Sequence, residues 1–309
     1  MTTPSPSVPV PVRPRRHRDW RQALVGWTFA LPFVILFGAF MAGPIIIAFV
    51  TSFTDMRIAD IRKPFGVSFV GLENYVDVFR DPTFRKAARN TAFYVVFAVP
   101  LTIGLGLLVA LGLNQGALRF RRLFRVGYFL PYVTSIIAVA VVWRLILGAD
   151  SGLINSLLES IGVDGPGWLT DQRYSLWSII LMTTWRGLGL QMIIFLAGLQ
   201  AIPAELYEAA SVDGAGRWHK FRYVTFPTLR PTLLFSMVIA SIGLLQFFEE
   251  PFVMTEGGPL DSTLSVAFHA YNEFSFGNYG YTAAISYVLF VVIAAITFLQ
   301  FKFLKPNTE

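Results

Sequence analysis

Three of the charged residues within the apolar stretches of this sequence are candidates for chemistry. Arg186 lies in the middle of one apolar run, and Glu249 and Glu250 lie near the end of another. A charge at membrane depth is costly and seldom faces lipid, so each of these residues needs a partner or a wet cavity. Two interpretations are open. Arg186 and a glutamate form a structural ion pair, or they line a cavity where the guanidinium donates hydrogen bonds to a polar solute and the carboxylates accept them.

A second group of candidate residues lies between two apolar runs, at residues 203–221, here called the knob. Pro203 suits the first turn of a helix, and the residues after it are mostly good helix formers. Gly214 ends that helix, and a second short helix can begin near Arg217. Two short helices that meet at a glycine can enter a cleft on a soluble partner, where Glu208 can pair with a basic group. An amphipathic loop at the membrane interface is the alternative.

Motifs for other chemistries are missing. The sequence has no cysteine and no G-x-x-x-x-G-K-[ST] stretch, which excludes thiolate sites and a Walker loop for ATP. His17, His219 and His269 do not have metal-binding spacing. Gly104-x-Gly106 lacks the third glycine of a dinucleotide fingerprint and indicates close helix packing. We therefore expect no catalytic residue, no metal and no cofactor in this chain.

The composition indicates a membrane protein, since 54% of the 309 residues are hydrophobic and 14% are charged. Apolar runs of about 17 to 25 residues can cross ~30 Å of hydrocarbon as helices. The sequence predicts an all-α membrane protein with six spans, at residues 23–50, 91–113, 126–147, 174–199, 231–255 and 279–303. We expect residues 1–20 to be a disordered basic tail and residues 21–305 to be the transmembrane domain.

The placement of basic residues predicts the orientation. Lys and Arg concentrate in the tail, in the loops after spans two and four and at the C-terminus, which should therefore be cytoplasmic. Because they lie beside apolar spans, we expect no nucleic-acid partner. Residues 51–90 do not fit this orientation rule, since they hold seven basic residues on the predicted outer side, interleaved with five acidic residues. Within them, residues 72–86 predict an amphipathic interfacial helix broken at Asp81-Pro82.

The spacing in the knob matches a family motif. The sequence reads Glu208-Ala209-Ala210, three residues, Gly214, nine residues, then Val224-x-Phe226-Pro227. This resembles the EAA motif of ABC importer permeases, with Val224 and Phe226 in place of the family's Ile and Leu. The resemblance implies the type I ABC importer permease fold and a coupling helix that docks on an ATPase subunit. The implied coupling residues are Glu208, Ala209, Ala210, Asp213, Gly214, Ala215 and Pro227.

A further resemblance points to the carbohydrate-uptake branch. Phe248-Glu249, Met254-Thr255 and Gly257-Gly258-Pro259 resemble a signature of the maltose-type first permease. Matching that permease's sugar-contact motifs, and adding the nearby charged, aromatic and amide side chains, gives a candidate substrate pathway. It consists of Tyr132, Thr183, Trp185, Arg186, Gly187, Leu190, Gly243, Leu244, Gln246, Phe247, Glu249 and Glu250. Maltose transport commonly has asparagines where Thr183, Leu244 and Phe247 stand, which argues against maltose itself.

The resemblance implies a multi-pass subunit of the bacterial cytoplasmic membrane that imports sugars. Its implied partners are a second EAA-type permease, two ATPase subunits that bind ATP and magnesium, and an external solute-binding protein. Import of glycerol phosphate or a related polyol is the nearest alternative, since Arg186 could bind a phosphate. A membrane enzyme or assembly factor is a more remote alternative. It would need clustered polar residues on facing spans, and only the group of Arg186, Glu249 and Glu250 meets that requirement.

Overall fold

The computed structural model describes residues 20–62, 66–114, 120–149 and 152–304. These residues form helices, turns and one isolated antiparallel bridge between Thr54 and Phe69. The prediction of an all-α protein is therefore confirmed. The predicted disordered tail lies outside the described residues, except for Trp20.

The helices follow one another along the chain with short connections. They are α1 (Trp20–Phe37), α2 (Gly43–Thr51), α3 (Glu73–Arg80), α4 (Pro82–Asn114), α5 (Arg121–Val133), α6 (Ile136–Ile146), α7 (Leu153–Ser160), α8 (Ser175–Gln200), α9 (Ala204–Val212), α10 (Arg217–Lys220), α11 (Phe226–Thr228), α12 (Arg230–Leu245), α13 (Glu249–Met254), α14 (Val266–Ser275) and α15 (Tyr279–Leu304). The sequence did not predict α7, α13 and α14 as separate helices.

The chain divides into two compact units, residues 1–50 and 51–309. In the first unit, a π-helical turn at Gly38–Ala42 joins α1 to α2, so the predicted span 23–50 is a helix with one wide turn. In the second unit, α4, α8 and α15 are each long and apolar enough to cross a membrane. Two bent helix pairs, Arg121–Val133 with Ile136–Ile146 and Arg217–Thr228 with Arg230–Leu245, could each form one more span. They bring the number of candidate spans among the described residues from four to six.

Span three is bent where the sequence predicts one continuous helix over residues 126–147. Helices α5 and α6 meet at an angle of 97°. Thr134, between them, has extended backbone with a ψ of 147°, and its hydroxyl donates to the carbonyl of Leu130. At ~1.5 Å per residue, neither helix alone would cross ~30 Å of hydrocarbon.

Span five also differs from the predicted continuous helix over residues 231–255, because α12 ends at Leu245 and α13 begins only at Glu249. Proline has no N–H, so Pro251 could not donate to the carbonyl of Phe247 in a continuous helix. That carbonyl instead accepts from the hydroxyl of Ser265 at 2.6 Å. The break between α12 and α13 therefore follows from Pro251, together with Ser265, which satisfies the carbonyl that Pro251 leaves without a donor.

Helices α4 and α8 form the centre of the second unit and approach each other closely. At Gly106 of α4, a Cβ atom would lie 2.5 Å from the Cβ of Gln191. At Gly189 of α8, a Cβ atom would lie 2.1 Å from the carbonyl oxygen of Tyr128 on α5. Only glycine permits these contacts, which agrees with the packing role expected for Gly106.

Candidate functional site

A cavity of about 270 Å³ lies between α4, α8 and α12, beside the junction of α5 with α6 and the junction of α12 with α13. We call it the polar cavity. It brings together the predicted pathway residues from three separate stretches of sequence, with Trp185 as the exception. The predicted residues that line it are Tyr132, Thr183, Arg186, Gly187, Leu190, Gly243, Leu244, Gln246, Phe247, Glu249 and Glu250.

Arg186 reaches into this cavity from the middle of α8. Its Nη2 donates to the carbonyl oxygen of Tyr132 at 3.3 Å, and its guanidinium carbon lies 5.3 Å from the centre of the Tyr132 ring. Its buried Nε has no hydrogen-bond partner among the described residues. Among the ion pairs within 4.0 Å that the described residues form, none joins Arg186 to Glu249 or Glu250. The geometry therefore favours a cavity-lining role over a structural ion pair.

Two further polar atoms in the polar cavity lack partners. Glu250 is 5% exposed, and its Oε2 has no hydrogen-bond partner among the described residues. The hydroxyl of Thr102, on α4, is in the same situation. Leaving a buried polar group unsatisfied costs about 1–3 kcal/mol. Three such groups around one cavity form a set of donors and acceptors suited to a polar ligand.

One wall of the polar cavity is held rigidly. The ring of Tyr94 stacks on Phe247 with centroids 3.8 Å apart and planes 11° apart. The hydroxyl of Tyr94 donates to Thr183 at 2.9 Å. One face of Phe247 is therefore already covered by another side chain, which limits its availability for stacking on a sugar ring.

Trp185 lies outside the polar cavity, although the sequence analysis included it in the candidate substrate pathway. It packs on Trp143 with centroids 5.6 Å apart, and 45% of the side chain is exposed. Neighbouring residues on a helix point about 100° apart. Trp185 lies on the side of α8 that packs on Trp143 of α6, whereas Arg186 lines the cavity.

The sequence reasoning missed five residues that line the polar cavity, namely Thr102, Ile136, Gln191, Ile239 and Ala240. Gln191 could have been found, since it follows Arg186, Gly187 and Leu190 on the same helical face. Its side-chain oxygen accepts from the hydroxyl of Ser236 at 2.5 Å. Thr102 had no such signal, because only the packing of α4 on α8 brings it there.

The knob has the two-helix form that its sequence predicts. Helix α9 ends at Val212, and Gly214 follows in the left-handed region with a φ of +77°. The N–H of Ala215 donates to the carbonyl of Ala210 at 2.9 Å, which closes the end of α9. Helix α10 then begins at Arg217, as expected. Glycine is favoured at such a position because a side chain there is strained.

Two hydrogen bonds, one within the knob and one to Thr225 just beyond it, brace the knob and leave its outer surface free. Lys220 donates to the hydroxyl of Ser211 at 2.7 Å, and the hydroxyls of Tyr207 and Thr225 lie 2.9 Å apart. Glu208 is exposed, as are Val212 at 88% and Trp218 at 71%. The remaining predicted coupling residues lie on or beside this surface: Ala209, Asp213 and Gly214 are exposed, and Ala210, Ala215 and Pro227 are half-buried.

The Gly-Gly-Pro stretch belongs to a tight loop that is tied to the long helices. Asn90 of α4 donates to the carbonyls of Asp261 and Leu264 at 2.7 and 3.0 Å. The hydroxyls of Ser175 and Ser262 lie 2.8 Å apart and tie the loop to α8. The Gly-Gly-Pro stretch thus marks a structural connection rather than a lining of the polar cavity.

The junction between α3 and α4 holds a buried histidine. Nε2 of His269 lies 3.0 Å from Oδ2 of Asp81, and the hydroxyl of Tyr281 donates to the same oxygen at 3.0 Å. Burial raises the pKa of Asp81, but the N–H of Thr83, the hydroxyl of Tyr281 and the positive charge available on His269 outweigh it. The pKa of Asp81 consequently lies below its ordinary value. The predicted break at Asp81-Pro82 is confirmed, and α4 begins at Pro82, within the predicted amphipathic segment.

Comparisons with known proteins agree with this architecture. Residues 77–307 match the family described as binding-protein-dependent transport system inner membrane component. The chain is 38% identical to the lactose transport system permease protein LacF of Rhizobium radiobacter, over 89% of this chain and 92% of that protein. It is 36% identical to the arabinooligosaccharides transport system permease protein AraP of Bacillus subtilis, over 89% and 87%. It is 32% identical to the trehalose/maltose transport system permease protein MalF of Thermococcus litoralis, over 92% and 94%.

The fold matches a solved importer. A chain in the crystal structure of a bacterial alginate ABC transporter, in complex with an alginate pentasaccharide-bound periplasmic protein, superposes with a TM-score of 0.82. The match covers 96% of this chain and 99% of that chain, at 24% identity. At this level of identity the likeness shows the fold alone, which is that of an ABC importer permease.

Proposed function

The chain belongs to the family of binding-protein-dependent transport system inner membrane components, and we propose that it is the sugar-translocating permease subunit of an ATP-driven importer. It is a multi-pass membrane protein of the type I permease fold. The relatives named for lactose, arabinooligosaccharides and trehalose or maltose support a sugar substrate.

The observation that carries the proposal is the polar cavity between the membrane-spanning helices. Thr102, Arg186 and Glu250 each present a buried polar atom that has no partner among the described residues. A sugar hydroxyl both donates and accepts hydrogen bonds, so one such solute can satisfy all three. Apolar side chains such as Ile136, Leu190 and Ile239 share the lining, as in most sites for small polar ligands.

The charges around the polar cavity favour a neutral sugar over the phosphorylated polyol. Arg186 alone would favour a phosphate, since a guanidinium pairs well with that group. Glu249 and Glu250 line the same cavity, however, and a carboxylate repels a phosphate dianion. Arg186 therefore favours glycerol phosphate as the substrate, whereas Glu249 and Glu250 disfavour it.

The knob is the proposed contact with the ATPase. Its exposed surface combines Glu208 with the apolar Val212 and Trp218, a combination that suits a cleft with a basic group. The internal hydrogen bonds that brace it would transmit movement of the partner to α8 and α12, which flank it in the chain. ATP and magnesium would be bound by two such partners.

The remaining partners follow from the same function. A second EAA-type permease would complete the pathway, and an external solute-binding protein would deliver the sugar. This arrangement would place the knob and both termini in the cytoplasm, where we expect the basic loops. Alternating access would then open the polar cavity to one side at a time.

Uptake by the assembled transporter tests the proposal. Proteoliposomes with internal ATP and the cognate binding protein are offered lactose, arabinooligosaccharides, trehalose, maltose and glycerol 3-phosphate. We expect ATP-dependent uptake of a neutral sugar and none of glycerol 3-phosphate. Uptake restricted to glycerol 3-phosphate would contradict the substrate class. Absence of ATP-dependent uptake of any solute that the binding protein binds would contradict the importer itself.

A further inference from the structure

A second cavity, of about 440 Å³, opens where the first turns of α4 meet the start of α8 and the loop after α13. We call it the basic pocket. Lys86, Arg89 and Arg173 line it, and none of its described lining residues is acidic. The basic pocket shares no lining residue with the polar cavity.

The walls of the basic pocket are fixed. Asn90 is 6% exposed and holds the loop through the carbonyls of Asp261 and Leu264. The paired hydroxyls of Ser175 and Ser262 close the other side. The three cations are thus held around one concave surface instead of being scattered over mobile loops.

Two of these cations have no partner within the described part of the chain. The side chains of Arg89 and Arg173 form neither a hydrogen bond nor an ion pair with another described residue. The nearby carboxylate of Asp171 accepts from the backbone N–H of Arg173 at 2.8 Å. The ammonium of Lys86 donates to the carbonyl of Leu260. The basic pocket therefore offers two guanidinium groups to an anion.

Exposed apolar side chains continue from the basic pocket along the two helices, and we call this apolar surface the groove. On α4, Arg89 is followed at intervals of one turn by Phe93 and Phe97, and before and within α8, Arg173 is followed by Trp177 and Leu181. Trp177 lies 5.3 Å from Phe93 and 4.8 Å from Phe97 between ring centroids. Trp177 is 42% exposed and Leu181 is 54% exposed. The groove consists of these four residues.

We propose that the basic pocket binds the anionic headgroup of a membrane phospholipid, with an acyl chain lying along the groove of Phe93, Phe97, Trp177 and Leu181. The guanidinium groups would donate to the phosphate. Aromatic residues are enriched where a span meets the headgroup region, and the spans continue into hydrocarbon just beyond them. A soluble anion would use the cations but would leave the adjoining apolar groove uncovered.

This site also gives a physical reason for a charge pattern that conflicts with the orientation rule. Basic residues on the outer side of a membrane protein are unusual, and residues 51–90 hold seven of them. Two of the seven, Lys86 and Arg89, belong to the basic pocket. Anionic lipid headgroups at that surface would stabilise them there.

Lipid retention by the assembled transporter tests the proposal without reference to transport. The purified complex is depleted of lipid in detergent and offered equal amounts of phosphatidylglycerol and phosphatidylcholine with the same acyl chains. Native mass spectrometry then counts the retained lipids. We expect preferential retention of phosphatidylglycerol, and a loss of about tenfold in that preference in the double variant Arg89→Gln/Arg173→Gln. Lys86 is left unchanged because of its bond to Leu260.

Two matched variants make the result specific. Arg62→Gln/Arg80→Gln removes the same amount of charge from residues 51–90 but away from the basic pocket, and it should retain phosphatidylglycerol as the unaltered complex does. Trp177→Ser should reduce retention although both arginines remain. Equal retention in the Arg89/Arg173 variant and the unaltered complex would overturn the proposal. Displacement of the lipid by millimolar glycerol 3-phosphate would overturn it in favour of a soluble anion. Loss of subunit association with unchanged lipid retention would overturn it in favour of a protein contact.

Discussion

The polar cavity and the knob differ in whether their polar groups have hydrogen-bond partners. In the cavity, buried atoms of Thr102, Arg186 and Glu250 remain without partners among the described residues. In the knob, Lys220 donates to Ser211, and Tyr207 is hydrogen-bonded to Thr225 just beyond the knob. The exposed surface of the knob is partly apolar. Unsatisfied polar atoms are suited to a solute that supplies hydrogen bonds. A braced surface with exposed apolar residues is suited to a protein partner, because it loses little entropy on docking.

The largest expected effect comes from distorting the knob. Gly214→Val should abolish uptake and weaken ATPase association, because a β-branched residue is strained at a φ of +77°. Glu208→Lys should do the same by reversing the charge that faces the partner. Uptake and co-purification of the ATPase are the measurements.

A neighbouring glycine provides the control for that change. Gly216 is also exposed, has an ordinary φ of −70° and would tolerate a Cβ atom in open space. Gly216→Val should therefore leave membrane insertion and most of the ATPase association intact. Normal transport by both Gly214→Val and Glu208→Lys would show that the knob is only an interfacial loop.

The next effect concerns the central charge of the polar cavity. Arg186→Leu should fold and assemble normally and reduce uptake by about tenfold or more, since a charged hydrogen bond to the solute contributes about 1.5–3 kcal/mol. Arg144→Leu is the matched control, because Arg144 forms an exposed ion pair with Glu256 at 3.6 Å and should have little effect. Folded yield and sugar uptake are measured together.

The same pair of measurements decides between the two interpretations of Arg186. In a structural pair, Arg186→Leu would lower the folded yield, and Glu250→Gln or Glu249→Gln in addition would restore both yield and uptake. With a cavity-lining Arg186, neither glutamate change should rescue transport. Recovery of yield and uptake in a double variant would therefore refute the cavity-lining role.

A smaller effect is expected from the shape of the polar cavity. A Cβ atom at Gly187 would lie 2.9 Å from Cγ2 of Thr102, so Gly187→Ala should crowd the lining and reduce uptake by several-fold. Thr102→Ser removes that methyl group and keeps the hydroxyl, so the double variant should regain most of the uptake. Gly104→Ala, in open space on α4, is the control. If the double variant stays as low as Gly187→Ala, crowding is not the cause.

The smallest effect lies outside both regions, at the junction of Asp81, His269 and Tyr281. The folded pKa of Asp81 is lower than its unfolded value, so the carboxylate stabilises the fold above the unfolded pKa. That contribution is lost as the pH falls through the folded pKa. The thermal midpoint in detergent should therefore decline in acid less steeply in Asp81→Asn than in the unaltered protein. Identical pH profiles would show that the junction contributes nothing through Asp81.

Much of the architecture was predictable because it depends on local chemistry. Apolar runs set the spans, so α8 and α15 begin and end within one residue of the predicted 174–199 and 279–303. Gly214 and its spacing to Glu208 predicted both the turn of the knob and the family. These features need only the neighbouring sequence, since helix length and glycine conformation are properties of a short segment.

The tertiary structure decided what no local pattern contains. The apolar run of span five did not indicate that α12 would end at Leu245. The end depends on the carbonyl of Phe247, which cannot accept from Pro251 and accepts instead from the hydroxyl of Ser265, eighteen residues further along the chain. Thr102 enters the polar cavity only because glycines let α4 pack against α8. The sequence determined which residues could cross a membrane and which could carry charge within it. Packing determined which of them meet, since a shared cavity depends on the distances between helices and not on the spacing within any one of them.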